Sequence, residues 1–129
     1  MYQNRATLIG FLGKNAEVRK TRNETPFTVL SVATKSSWKD RESGERKSQT
    51  TWHRCIAWGR LSEYAARLTK GTHVQIEGEI RTREYSQKAG SGKKATEVKW
   101  SITEVRVLSI AKLDRPKQSD PDSSPEGAA

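Results

Sequence analysis

All four tryptophans in this 129-residue chain stand within two residues of an arginine or lysine. Trp38 opens the run Trp38-Lys39-Asp40-Arg41, and Trp52 and Trp58 lie in Trp52-His53-Arg54-Cys55-Ile56-Ala57-Trp58-Gly59-Arg60. Alternate residues of an extended strand face the same way, so Trp52, Arg54, Ile56 and Trp58 share one side. A second stretch, Ile76 to Tyr85, puts Arg81, Arg83 and Tyr85 on one side by the same alternation and runs into the basic, glycine-bearing segment Ser86 to Lys94. Rings interleaved with cations suit a single strand of nucleic acid, because every base has a π-face for a ring while fixed positive charge tracks the phosphates. Taken alone, the tryptophan row also reads as a core face and the arginine row as a solvated strand.

Other chemistries find no support. Gly90-Ser91-Gly92-Lys93-Lys94 looks like the end of a phosphate-binding loop, but Gln87 stands where the first glycine belongs and Lys94 where Ser or Thr belongs. It reads as a hairpin tip. His53, His73 and Cys55 are the only soft metal donors, at spacing unlike a closed zinc site, so no metal or other cofactor is expected. Cys55 two residues from His53 on a strand lacks an orienting third group and an oxyanion donor. With no paired carboxylates either, the chain is expected not to be an enzyme.

The chain carries 24 lysines and arginines against 15 acids, a net charge of +9, which points to a polyanionic partner or to a merely soluble basic surface. Residues 112–129 hold three cations against four acids, so the excess on residues 1–111 is one unit larger. The single Cys55 makes no intramolecular disulfide, so a cytosolic setting is expected. No apolar run has signal or membrane-spanning length.

These residues need strands to hold them. Short apolar runs rich in β-branched types span Ala6 to Leu12, Phe27 to Thr34, Trp52 to Trp58, Val74 to Ile80 and Val98 to Ile110, five strands in principal. One segment, Leu61 to Leu68, has helical spacing, with Leu61, Ala65 and Leu68 on one face and Gly71 just after its expected end. Arg22 to Thr25, Lys35 to Gln49 and Ser86 to Lys94 read as connections. An all-β chain with one short helix between strands 3 and 4 has the order of a five-stranded OB-fold barrel; an SH3-like barrel or small sandwich accounts for the strands nearly as well. Trp100 alternates with aliphatic Val98 and Ile102 and is expected against the core or a neighbouring subunit. Residues 1–111 therefore read as one domain, and residues 112–129, with three of the four prolines, as a disordered tail.

From about Asn4 to Leu113 the sequence resembles the bacterial and mitochondrial type of single-stranded DNA-binding protein. The resemblance rests on Asn4 to Arg19, Ser37-Trp38-Lys39-Asp40, Thr51-Trp52-His53-Arg54, Trp58-Gly59-Arg60-Leu61, Lys70-Gly71 and Ile76 to Tyr85. It implies an OB-fold, sequence-independent coating of single-stranded DNA in replication, repair and recombination, and a homotetramer in the cytoplasm, associated with the nucleoid. It assigns base stacking to Trp38, Trp52, Trp58 and Tyr85, and phosphate contacts to Lys14, Lys39, Arg54, Arg60, Lys70, Arg81 and Arg83. His53 falls at a place near subunit contacts. Stacking is worth roughly 1–3 kcal/mol per base, a general range drawn partly from this same family and not a result of this sequence. Family members commonly end in clustered aspartates and a short apolar tip that recruits replication and repair enzymes. The sequence here reads Pro125-Glu126-Gly127-Ala128-Ala129 instead, so recruitment of such proteins is not carried over. Two other classes stay open: an interaction module for replisome assembly, and an RNA binder.

Overall fold

The structure, a computed structural model, describes residues 1–89 and 96–113. Its elements are β1 (Ala6–Leu12), β2 (Glu17–Lys20), β3 (Pro26–Lys39), β4 (Arg46–Trp58), α1 (Arg60–Ala65), β5 (His73–Ala89) and β6 (Thr96–Lys112). The chain closes into a barrel: β1 pairs with β5, β5 with β6, β6 with β4, β4 with β3, and β3 returns to β1 through Phe11↔Ala33 and Leu12↔Val32. Among the described residues only β4 and β6 run parallel, through Cys55↔Val105 and Ile56↔Arg106. This is the five-stranded OB-fold, with β2 added along β3. The helix stands between the third and fourth barrel strands, as its spacing predicts.

The core is small. Leu12, Leu30, Val32, Cys55, Ala57, Val74, Ile76, Val105 and Val107 fill it, with Ala65 and Leu68 closing one end from α1 and the turn after it. Gly59, at positive φ, starts the helix, and Thr28 anchors it by donating from Oγ1 to the Ser62 carbonyl at 2.9 Å. The helix ends at Ala65, sooner than its apolar spacing predicts. Leu68 still reaches the core because a turn continues the path, its N–H donating to the Ala65 carbonyl at 3.0 Å. Gly71 serves the following turn, where its N–H donates to Leu12 at 2.9 Å, rather than the helix end.

Two departures from the expected layout matter for the site. Lys35 to Gln49 is largely strand: β3 and β4 run on past the barrel as a two-stranded ribbon, paired out to Lys39↔Arg46. β5 and β6 do the same, paired out to Ala89↔Thr96. Outside the barrel these strands have no core to bury, so their polar composition hides them from a reading based on apolar runs. β6 also continues through Lys112, which pairs with Val74, one residue past the expected domain boundary. The rest of the expected tail, and the hairpin tip at residues 90–95, lie outside the described residues.

Asn4 sets where the β5–β6 ribbon leaves. The β1–β5 ladder ends at Ala6↔Gly78, and the Asn4 side chain then takes the place of a strand partner: Nδ2 donates to the Ile80 carbonyl at 2.8 Å and Oδ1 accepts its N–H at 2.9 Å. Gly10 marks the other transition, where β1 turns from β5 to β3; a Cβ there would meet the carbonyl of Ala33. Gly10→Ala is therefore expected to cost about 1–3 kcal/mol, seen as a lower urea midpoint at unchanged slope. An unmoved midpoint would show that β1 is not held so tightly on β3.

Candidate nucleic-acid interface

Cross-strand register sorts the candidate residues. Phe27, Val29, Ser31 and Ala33 pair with Trp58, Ile56, Arg54 and Trp52, on the side opposite to Leu30, Val32, Cys55 and Ala57 of the core. Across the parallel pair Ile56 meets Arg106, and across β5–β6 Arg81, Arg83 and Tyr85 meet Glu104, Ile102 and Trp100. One continuous outer face thus carries Trp52, Arg54, Trp58, Arg81, Arg83 and Tyr85. The tryptophan row is open to solvent, not a core face.

A groove of about 690 Å³ runs along this face, walled by Phe27 and Trp58 on one side and by Arg81, Arg83 and Arg106 on the other, over Glu104. A second hollow of about 330 Å³ adjoins it at Glu104 and is lined by Trp52, Arg54 and His53. Phe27 backs Trp58, with ring centroids 4.8 Å apart and planes tilted by 32°, which leaves the other face of the indole to the groove.

Glu104 is the centre of the electrostatics. Arg54 Nε donates to Glu104 Oε2 at 2.8 Å, while Arg83 donates from Nε to Oε1 at 3.1 Å and from Nη2 to Oε2 at 3.2 Å. The carboxylate side chain is 9% exposed, against 30% for Arg54 and 55% for Arg83. Burial disfavours the charged form of Glu104, but the hydrogen bonds from Arg83 and Arg54 and their charges outweigh it and hold its pKa below the ordinary 4.5. The same bond to Glu104 raises the pKa of Arg83. Both arginines, expected as phosphate contacts, are thus shared with an acid.

The other predicted residues lie around this centre. The Trp52 ring lies over Gly13, so closely that a Cβ there would overlap it. Lys14 follows Gly13, and Asn15 Oδ1 accepts the Lys70 N–H at 2.9 Å, which brings Lys14 and Lys70 to one rim beside Trp52. Lys14 also pairs with Glu17 at 3.4 Å, and Arg81 with Glu79 at 3.4 Å, both in the open. Arg60, exposed, opens α1 just past Trp58. Lys39 lies opposite Arg46 on the ribbon and, by alternation, on the Trp52 side. Trp38, opposite Lys47, is exposed on the other side of that ribbon, so the structure does not put all four expected rings on one face. The turn beyond it is tied by Asp40, whose pKa is lowered by hydrogen bonds from the Ser43 hydroxyl, the Glu42 N–H and Lys47.

His53 faces the barrel mouth, half-buried, with Nε2 2.8 Å from Thr34 Oγ1. Cys55 is sealed in the core, and burial pushes its thiol up to about 12, far from the range of a nucleophilic thiolate. Among the described residues no cluster of three His, Cys, Asp or Glu could hold a metal.

Sequence reasoning missed Phe27, Glu104 and Arg106, and of the two places expected for Trp100 the core is not where it lies. Trp100 is 49% exposed on the Tyr85 side. A signal was there: Val105 and Val107 alternate with Glu104 and Arg106, so the charged parity, which Trp100 shares, takes the outer face.

Fold and face together define a class, an OB-fold barrel with a ring-bearing basic groove of the kind that suits single-stranded nucleic acid. The chain matches the Single-strand binding protein family over residues 3–108, and it belongs to that family. Two solved structures are similar. One is the Plasmodium falciparum SSB in complex with ssDNA, 25% identical, with a TM-score of 0.68 over 88% of this chain and 97% of that one. The other is a deletion mutant of the single-stranded DNA binding protein from Thermus aquaticus, 27% identical, with a TM-score of 0.66 over 87% of this chain and 51% of that one. This chain therefore spans about half of the Thermus aquaticus protein.

The Glu104 cluster makes stability depend on pH with a definite sign. Because the folded-state pKa lies below the unfolded one, the contribution is complete above about 4.5 and is lost as pH falls through the lower folded value. Glu104→Gln is expected to cost about 1–3 kcal/mol near neutral pH. Its deficit should shrink below 4.5, where the unfolded wild-type chain takes up a proton that the folded carboxylate accepts only at lower pH. Urea denaturation of both proteins across that range checks this, and a deficit constant into acid would assign the loss to shape rather than charge.

Proposed function

We propose that this chain coats single-stranded DNA without strong sequence preference, as a non-catalytic protein of replication, repair and recombination. The observation that carries the reading is the pair of exposed rings Trp52 and Trp58, with Arg54 between them, beside Arg81 and Arg83 on one outer face. Flat rings take bases of any identity, and the cations around them offset the backbone charge. Trp52, Trp58 and Tyr85 are the stacking rings of this face, and Trp38 acts from the far side of the β3–β4 ribbon. Lys14, Lys39, Arg60, Lys70 and Arg81 are the phosphate ligands. Arg54 and Arg83, both bonded to Glu104, present guanidinium planes where the two hollows meet.

The working particle in this reading is a homotetramer in the cytoplasm, on nucleoid DNA. Ile9, Phe11 and Leu108 are large apolar residues left open, with Phe11 stacked on His73 at 4.3 Å and 10°; such surface favours contact between copies. A subunit-contact role for His53 rests on the family resemblance, since within the chain its ring is already bonded to Thr34. Among the described residues no helix is long and apolar enough to cross a membrane.

Tryptophan emission titrated with poly-dT, duplex DNA and RNA of equal length tests the reading. Quenching by dT above the other two is expected, and an equal response to duplex would overturn it; an equal response to RNA would redirect it to single strands of either kind. Affinity should fall with salt at a log–log slope of about −0.7 per phosphate neutralised. Trp52→Ala should weaken dT binding roughly tenfold at unchanged slope, whereas Lys39→Ala should make the slope shallower by about 0.7. The opposite pattern would reverse the roles assigned to the two residues.

A further inference from the structure

We infer that Tyr85 and Trp100 form a second, two-ring platform that carries the single strand out of the barrel groove along the β5–β6 ribbon. The inference rests on the single-strand reading above and adds a residue and a direction to it.

Tyr85 and Trp100 are direct register partners, and side chains so opposed leave their strands on the same face with Cβ atoms about 4.5–5.5 Å apart. That face also carries Arg81 and Arg83, while Ser86 and Lys99, the next pair, turn to the other one. From Arg81 to Tyr85 the ribbon advances four residues, about 13 Å, so the platform continues the groove. Tyr85 is 43% exposed and Trp100 49%. Among the described residues the aromatic pairs are Phe11–His73 and Phe27–Trp58, so neither ring is stacked on another. Two large rings held open on a ribbon with no core beneath them do not serve the fold. The charge of the face favours the occupant: the platform continues the side that carries Arg81 and Arg83, each 55% exposed, which suits an unpaired strand with bases to stack and phosphates to neutralise.

The test uses the full chain and poly-dT. Trp100→Ala should weaken binding roughly fivefold or more at unchanged salt slope, and Trp100→Phe, which keeps a ring, should bind close to the parent. A variant with Trp38→Phe, Trp52→Phe and Trp58→Phe leaves Trp100 as the sole emitter, and its emission should be quenched by dT. Should Trp100→Ala fail to fold, this quenching and Trp100→Phe decide the matter. Unchanged affinity of Trp100→Ala with unquenched Trp100 emission, while Trp52→Ala still binds weakly, would overturn the platform and leave the main reading intact. Loss of effect at Trp52 as well would bring down both. A change of particle mass in light scattering without a change in dT affinity would assign Trp100 to a contact between copies and overturn the platform too.

Discussion

A buried carboxylate on a face built for a polyanion is the interaction around which the structure is arranged. Glu104 of β6 receives Arg54 from β4 and Arg83 from β5, so one acid ties three strands at the place where both hollows meet. Left alone, two guanidinium groups so close would repel each other and swing into water. With Glu104 between them they keep a net single positive charge and a fixed orientation. The arrangement costs electrostatic attraction at the groove floor and gains geometry, because a held guanidinium plane presents a flat surface as well as a charge. Removing the arginines would leave the buried carboxylate poorly solvated and unpaired, which is why such clusters resist piecemeal change.

That cluster exists because the barrel allows each strand only one inward face. With a core of Val, Leu, Ile, Ala and Cys side chains, the outer parity of β4, β5 and β6 is left to Trp52, Trp58, Arg81, Arg83 and Tyr85 around the buried Ile56 and Glu104. Trp58 shows the division: it backs onto Phe27 yet keeps a face in the groove. The close approach of Trp52 to Gly13 shows it again, since any side chain at 13 would displace the ring.

Alternation explains what was legible in the sequence and what was not. The five barrel strands, the helix and the shared side of Trp52, Arg54, Ile56 and Trp58 follow from periodicity within a strand, a local property. Arg54 and Arg83 were legible as cations but not as partners of Glu104, because an ion pair spanning 50 residues of sequence depends on register between strands. Phe27 was hidden for the same reason: only its pairing with Trp58 brings it to the groove. The ribbon Lys35 to Gln49 read as loop because its stability comes from cross-strand pairing without burial, which leaves no apolar signature. Trp38 went to the opposite side because one residue of register flips a side chain across a ribbon.

In the proposed single-strand function, these placements divide the work between charge and rings. The groove floor, with Glu104 offsetting part of the arginine charge, is a weak attractor at long range. The steering field must therefore come from the cations on the ribbons and rim, above all Lys35, Lys39 and Arg46, which alternation sets on the Trp52 side. Screening limits that field to about 8–10 Å at physiological salt, so it draws in any nucleic acid that passes, duplex included. Discrimination falls to the groove, where only unpaired bases can turn their faces to Trp52 and Trp58. A duplex meets the same ribbon charges but has its bases stacked on each other, and it gains nothing from the rings. Partial neutralisation at the floor thus favours single strands: it keeps the non-selective term small where the selective one is made.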